Sequence, residues 1–163
     1  MIESEYLAGL VNNNRVLAYF YLESMNKSNW YQRFTVNGQE INSVAWNLAH
    51  MAWAQNYLIL VATGNNSVNI KWFDLFKIGS PPAPLELYPN QQDIMTAFES
   101  IHQLALHQIN QMKEEEFDEP NLINLKFKNG SSKRLAIHHH LRHEGSHIGH
   151  LALLAKMHGV KTI

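Results

Sequence analysis

The stretch RLAIHHHLRHEGSHIGHLALLAKMHG, residues 134–159, is the part of the chain richest in histidine, since six of the ten histidines lie between positions 138 and 150. Ser131 or Ser132 is a suitable N-cap residue before this stretch. Gly159 suits the position just past the end of a helix. The sequence therefore predicts a helix over about 133–158.

The histidines of this helix share one side with apolar residues. At 100° per residue, His143, His147 and His150 lie within about 60° of one another, and His139 joins the same side. Other residues on this side are apolar: Ala136, Leu154 and Met157. We expect the side to face a core, where several imidazoles without partners would be costly. A metal ion resolves this, because a neutral imidazole binds the ion through one nitrogen and donates a hydrogen bond through the other.

The letters 143–147 also fit H-E-x-x-H, which on a helix is typical of zinc proteases. Such proteases take a third ligand downstream, but only residues 148–163 follow, and none is Asp or Glu. A protease is therefore the least favoured hypothesis. Glu144 lies about 100° from the histidine side, so we expect it at the helix surface near Arg142. His150 and Glu144 remain the candidates for a proton acceptor.

A better third ligand lies upstream, in NSVAWNLAHMAWAQNYLILVATG, residues 42–64. Asn42 or Ser43 is a suitable N-cap, Gly64 suits the C-terminal end, and His50 lies in the middle of the predicted helix. Residues on the same side as His50 are mostly apolar or aromatic: Ser43, Trp46, Trp53, Ala54, Tyr57 and Val61. Two such helices facing each other would bring His50 to His143 and His147. The alternative is that His50 is an ordinary core histidine.

The remaining chain supplies two more helices and long connections. Helical periodicity covers about Glu5 to Met25 and about Gln91 to Lys113. Between the helices lie a proline-rich segment, an acidic run expected to be solvated, and a strand-like excursion with an Asn-Gly turn: residues 77–90, 114–120 and 121–132. We therefore predict a single all-α domain over residues 1–163, a four-helix bundle with long crossover connections.

Composition excludes several classes of function. Thirteen basic residues against fourteen acidic ones give a net charge of -1, so binding to nucleic acid or to an anionic membrane is not indicated. The absence of cysteine excludes disulfides and thiolate metal ligands. No apolar run approaches the ~20 residues that span a bilayer, and the N-terminus has no basic region typical of a secretion signal. We expect a soluble cytoplasmic protein.

The stretch NSVAWNLAHMAWAQNYLI, followed much later by HHLRHEGSHIGHLALL, resembles the DinB-like superfamily, also called DinB/YfiT-like. The matching residues are His50, His143 and His147. Ile148 and His150 depart from the family pattern, which commonly has Arg and Gln there. The resemblance spans most of the chain in helix order and spacing.

The resemblance implies a four-helix bundle in up-down-down-up order, often dimeric, with a divalent metal ion on three histidines. It also implies small-molecule substrates, and for some relatives the transfer of a low-molecular-weight thiol. Three imidazoles leave coordination positions open, as in catalytic sites. Zinc, nickel and ferrous iron all accept imidazole, so the sequence does not choose the metal.

Two hypotheses follow. The first is a metal-dependent transferase or hydrolase acting on a small molecule, with the ion on His50, His143 and His147. The second is a non-catalytic metal-binding or stress-associated bundle, in which His150 would complete a closed site. The remaining histidines are expected at the surface or behind the ligands: His102, His107, His138, His139 and His140.

Overall fold

A computed structural model of the chain describes residues 2–161. Its four long helices are α1 (Glu3–Ser24), α2 (Val44–Gln55), α3 (Gln91–Gln111) and α4 (Lys133–Met157). The second helix continues without a break through a π-helical segment, Asn56–Val61, and a last α-helical turn, Ala62–Gly64. Each predicted helix agrees with the observed one to within two residues at either end.

Three helices begin at the cap residues that local chemistry favours. Ser43, Asn90 and Ser132 each accept a hydrogen bond, through the side chain, from the backbone N–H three residues further on. This satisfies one of the donors that the first turn of a helix leaves unpaired. The sequence left Asn42 or Ser43, and Ser131 or Ser132, as cap residues, and the structure shows that Ser43 and Ser132 are the ones used.

The helices form a bundle in which sequence neighbours are not always neighbours in space. Helix α1 packs mainly against α3 and α4, and α2 packs against the same two helices. Helices α1 and α2 therefore lie diagonally opposite, and so do α3 and α4. The segments 25–43 and 112–132 must cross the ends of the bundle to join diagonal helices. This confirms the all-α bundle with long crossover connections.

The first crossover contains a small hairpin that was not predicted from the sequence. Strand β1 (Phe34–Val36) pairs antiparallel with β2 (Gln39–Ile41). The two residues between them, Asn37 and Gly38, have φ of 50° and 78°. Asn-Gly is the pair that such a two-residue turn favours, because both positions need a positive φ. The signal was thus present in the sequence.

The second crossover corrects two expectations. The acidic run forms a short 3₁₀ helix, Glu114–Asp118, and its carboxylates lie near the surface as expected. Phe117 in the middle of the run is fully buried, however, so this segment is anchored in the core. The expected strand-like excursion contains no strand of its own, only isolated bridges between Phe127 and Gly130 and between Pro120 and Ser132.

The segment 65–90, between α2 and α3, wraps back over the bundle and contributes to its core. Phe73 and Phe76 of this segment are buried among the apolar residues of the helices. Phe76 is completely inaccessible, which fixes the backbone around it beside α2. Across residues 2–161, none of the helices combines the length and the hydrophobicity that crossing a membrane requires.

Candidate metal centre

Helices α2 and α4 bring His50, His143 and His147 together between them. The Nε2 atoms of His50 and His143 are 3.1 Å apart. One ring nitrogen from each of the three residues lies within 4.8 Å of the corresponding nitrogens of the other two. The convergence follows from sequence spacing, since His143 and His147 are one helical turn apart and His50 lies midway along the facing helix.

Hydrogen bonds fix the rings of two of these histidines. Nδ1 of His50 donates to the backbone carbonyl of Phe76 at 2.6 Å. Nδ1 of His147 donates to Oδ1 of Asn47 at 2.9 Å. Because Nδ1 carries the proton in both rings, the lone pair of Nε2 is available for a metal ion. His143 differs, because its buried Nδ1 has no hydrogen-bond partner among residues 2–161.

The surroundings favour neutral imidazoles. Burial, and next the nearby His50, lower the pKa of His143 to about 4 and that of His147 to about 3. Burial also lowers the pKa of His50, although its hydrogen bond to the Phe76 carbonyl opposes the shift. Neutral rings are what ligation requires. Three such donors, two with the non-ligating nitrogen already bonded, fit a divalent transition-metal ion.

Aromatic side chains of α2 surround His50. The ring of Trp46 stacks on the His50 ring, with centroids 4.7 Å apart and an interplanar angle of 11°. Trp53 lies 5.5 Å from His50 and stacks in turn on Tyr57 at 5.4 Å. Trp46 and Trp53 are half-buried and Tyr57 is exposed. These rings hold the imidazole of His50 in place and keep water away from its faces.

The other histidines of α4 do not join the group. His150 is exposed, and its ring lies 5.4 Å from that of His147. His139 is half-buried and its Nδ1 accepts a hydrogen bond from Arg142. His138 is exposed, as is His107 on α3. Among residues 2–161, the cluster that could hold an ion has three histidines and no fourth protein ligand.

The expectation that Glu144 lies at the helix surface near Arg142 is wrong. Glu144 is 1% exposed, and its Oε1 lies 2.7 Å from Nη2 of Arg15 on α1. Its Oε2 lies 3.3 Å from Nε2 of His140, which is equally buried. The reason is that α4 is covered on two sides, by α2 on the side of His143 and by α1 on the side of Glu144. Periodicity measured from the histidines alone revealed only the first side.

His102 and His140 lie behind the ligands, in a buried network centred on Arg15. Burial, and next the charge of Arg15, lower the pKa of His102 to about 4. The pKa of Glu144 is lowered to about 2, because Arg15 and His140 outweigh the effect of burial, which alone would raise it. Arg15 was missed from the sequence. The available signal was its position on the apolar stripe of α1, formed by Leu7, Val11, Ala18 and Leu22.

Two cavities adjoin the histidine group. One has a volume of about 340 Å³ and shares Asn47 and His150 with the surroundings of His147. The other, of about 220 Å³, lies between α2 and the segment 67–74, with Trp53 and Tyr57 in its wall. The larger of the two lies within the range of volumes typical of small-molecule sites.

The chain matches a known protein family over most of its length. The family model of the DinB superfamily matches residues 12–151, which include all three clustered histidines. Among curated proteins, none matches the chain. The match covers most of the chain, from the middle of α1 into the last turns of α4, so it includes α2 and α3 and most of the other two long helices. The protein therefore belongs to the DinB superfamily.

Proposed function

We propose that this protein is an enzyme that binds a divalent metal ion through His50, His143 and His147 and uses the ion in catalysis. The reaction is a transfer, of the thiol S-transferase type, or a hydrolysis on a small molecule. The observation that carries the proposal is the convergence of three neutral imidazole nitrogens from two helices within 4.8 Å of one another. A donor set of three histidines suits zinc, nickel or ferrous iron better than magnesium or calcium, which prefer oxygen.

Several residues of the chain have separate roles at such a site. A bound ion would supply Lewis acidity, which activates an oxygen or sulfur nucleophile at neutral pH. Phe76 and Asn47 hold the rings of His50 and His147 so that both present Nε2. Trp46 stacks on His50 and limits access of water to that ring.

His150 is the proton acceptor in this proposal, because it is exposed beside His147 and lines the larger adjoining cavity. Glu144 is unsuited to the role, since it is buried in an ion pair and its pKa is about 2. The partner is a small molecule, a low-molecular-weight thiol in the transferase case. We extend the proposal to a homodimer, which the family resemblance implies, and to a cytoplasmic location.

A second candidate function is non-catalytic, in which the ion only stabilises the bundle. The observation in its favour is that His50 is 4% exposed and lies between two long helices, so an ion there would join α2 to α4. Both candidates require metal binding. They differ in whether a small molecule reaches the ion.

The test is elemental analysis of purified, untagged protein, comparing wild type with His50→Ala. We expect about one ion per chain in the wild type and loss of most of it in the variant, because a two-histidine site binds weakly. His107→Ala, an exposed histidine on α3, is the matched control and should keep the wild-type content. Stoichiometric tight binding by His50→Ala would refute the three-histidine site.

Activity separates the two candidates. The metal-loaded protein is assayed for conjugation of cysteine, glutathione or coenzyme A to an electrophile, and for hydrolysis of small esters and amides. The enzyme proposal predicts turnover that His150→Ala reduces by about 10²-fold or more, the usual contribution of a positioned general base. Metal binding without any turnover would favour the stabilising role instead.

A further inference from the structure

One guanidinium in the bundle contacts all three other helices. Nη1 of Arg15, on α1, donates to the carbonyl of Phe98 on α3 at 2.9 Å. Its Nη2 donates to Oε1 of Gln55 on α2 at 2.7 Å and lies 2.7 Å from Oε1 of Glu144 on α4. The guanidinium carbon also lies 3.5 Å from the centroid of the Phe98 ring. Through these contacts, Arg15 on α1 connects its own helix to α2, α3 and α4.

Two histidines extend this network. The amide nitrogen of Gln55 lies 3.3 Å from Nδ1 of His102 and 3.4 Å from Nε2 of His140. Nε2 of His140 also lies 3.3 Å from Glu144, and Nε2 of His102 donates to Oδ1 of Asn12 at 3.1 Å. We call Arg15, Gln55, His102, His140 and Glu144 the buried network. Each member is at most 2% exposed.

Stability alone does not explain the presence of an ion pair at this position. Removing two charges from water is expensive, and replacing a buried pair by apolar residues of similar volume is often neutral or stabilising. A network of ion-pair contacts and hydrogen bonds differs from apolar packing in one respect, because it specifies the orientation of the elements that it joins. The question is then which orientation the buried network specifies.

The three clustered histidines differ in how their rings are held. Hydrogen bonds from Nδ1 fix His50 to Phe76 and His147 to Asn47. Nδ1 of His143 is buried and has no partner within the described part of the chain. Apart from the 3.1 Å contact between its Nε2 and Nε2 of His50, the position of the His143 ring therefore depends on the backbone that carries it. Two members of the buried network lie close to His143 on α4. Glu144 directly follows His143 in sequence, and His140 precedes His143 by about one helical turn.

We infer that the buried network positions His143, replacing the hydrogen bond that His143 lacks. Because Arg15 holds Glu144, α4 cannot rotate about its axis. His143, which lies about 100° from Glu144 around the helix, therefore stays directed at His50 on α2. Sites of this kind tolerate a misplacement of only about 0.5 Å or 10–20°. The inference rests on the proposed metal site and makes Arg15 and Glu144 positioning residues of that site.

The test removes the network while keeping the volume of its side chains. In Arg15→Met/Glu144→Leu, we expect the unfolding midpoint to stay near that of the wild type, while the Kd for Zn²⁺ rises 10- to 100-fold. This is the usual effect of losing a group that orients a ligand. The Co²⁺-loaded variant should also show altered d–d absorption, which loss of stability alone would not produce in the folded protein.

The same helix offers a matched control. Lys133, at the start of α4, pairs with Glu119 at 2.8 Å and is also largely buried. Lys133→Met/Glu119→Leu removes an ion pair from α4 about three to four turns away from His143 and His147. We expect this control to bind Zn²⁺ as the wild type does. Equal weakening in both double variants would overturn the inference, because it would show a general effect of ion pairs on α4.

Single variants distinguish an effect of the buried network on the position of His143 from an effect of the network's charges. Arg15→Lys keeps the charge beside Glu144 but loses the planar fork that reaches three helices, so we expect folded protein with weakened Zn²⁺ binding. If the network acted only through charge, Arg15→Lys would bind as the wild type does, Glu144→Gln would weaken binding, and the apolar double variant would restore it. That pattern, or wild-type Kd in the double variant, would overturn the inference.

A readout without metal keeps the inference separate from the proposed function. In crystal structures of metal-free proteins, we expect the Nε2–Nε2 distance between His50 and His143 to stay near 3.1 Å in the wild type and to lengthen in the double variant. An unchanged distance in the variant would overturn the positioning role. Failure of the wild type to bind Zn²⁺ or Co²⁺ would overturn only the proposed function.

Discussion

Asn47 is the residue that couples the start of α2 to the histidines of α4. Its amide Nδ2 donates to the carbonyls of Asn42 and Ser43, at 3.3 and 2.9 Å, which reinforces the first turn of α2. The same side chain offers Oδ1 to His147. Since the two donor bonds determine which way the amide points, the acceptor facing His147 is fixed as well.

Substitution of Asn47 tests whether this hydrogen bond supports metal binding. We expect Asn47→Leu to raise the Kd for Zn²⁺ by about 10- to 100-fold, because the His147 ring loses its anchor. Asn47→Asp keeps an acceptor for Nδ1 and should stay close to the wild-type Kd. Competition titration with a chelating dye measures both. Equal Kd values for the Leu and Asp variants would contradict a role for the hydrogen bond.

His102 provides a test based on pH. Its pKa is about 4 in the folded protein against 6.5 in the unfolded chain. As the pH falls below about 6.5, the unfolded chain therefore takes up the proton first, and His102 lowers stability progressively down to about pH 4. His102→Gln should reduce the slope of unfolding free energy against pH by up to about 1.4 kcal/mol per pH unit. Urea titrations at several pH values check this, and parallel curves for the two proteins would refute it.

The second helix is the element that departs most from regular geometry. Immediately after Gln55, it widens into the π-helical segment Asn56–Val61, which carries Tyr57 beside Trp53. Such segments are rare and frequently occur at functional sites. Gln108 of α3 supports the end of this helix, since the two N–H groups of its Nε2 are shared among three acceptors. These are the carbonyls of Ile59 and Leu60 and Oγ1 of Thr63, at 3.0, 3.1 and 2.6 Å.

Replacement of Gln108 should weaken this end of the helix. We expect Gln108→Leu to lower the free energy of unfolding by about 1–3 kcal/mol, because buried acceptors lose their donor. Chemical denaturation measures the change. Gln103→Leu, at an exposed position of the same helix, is the control and should shift stability by no more than about 0.5 kcal/mol. Similar losses in both variants would show that Gln108 has no special role.

Helix α4 is amphipathic in an unusual way, because it is buried on two sides. One side presents His143 and His147 to α2, and the other presents His140 and Glu144 to the buried network. Its exposed residues, such as Arg142 and Ser146, occupy what remains of the circumference. A single helix thereby serves both the candidate metal centre and the ion pair behind it.

At the scale of the whole molecule, the histidine cluster joins two helices that belong to distant parts of the sequence. His50 and His143 are 93 residues apart, and an ion between them would close a long loop of the chain. Because the unfolded chain lacks the arranged site, metal binding should favour the folded state.

Metal addition should therefore stabilise the protein. With free Zn²⁺ at about 100 times its Kd, we expect a gain of about 2.7 kcal/mol in unfolding free energy, which EDTA reverses. Thermal or chemical unfolding measures the gain. His143→Ala should show little response to Zn²⁺, whereas His138→Ala, at an exposed position of α4, should respond as the wild type does. An equal response of His143→Ala would place the stabilising ion elsewhere.

Much of this architecture could be predicted from the sequence. Helix bounds were predictable because caps and apolar periodicity act over a few residues, as at Ser43 and Ser132. The three histidines could be singled out because i, i+4 spacing and a midpoint position on an apolar side are local properties. The hairpin at Asn37-Gly38 was missed although its turn signal is equally local.

The sequence by itself determined the four helices, the side of α4 that presents His143 and His147, and His50 as their candidate partner. Only the tertiary structure decided that Glu144 is buried and that Arg15 contacts the three other long helices. It also decided that Nδ1 of His143 lacks a hydrogen bond of the kind that Nδ1 of His50 and of His147 make. The physical reason is that helical periodicity gives the angle between side chains on one helix. Which side chains of a helix become buried depends on the helices packed around that helix. Those contacts link residues as far apart in sequence as Arg15 and Glu144.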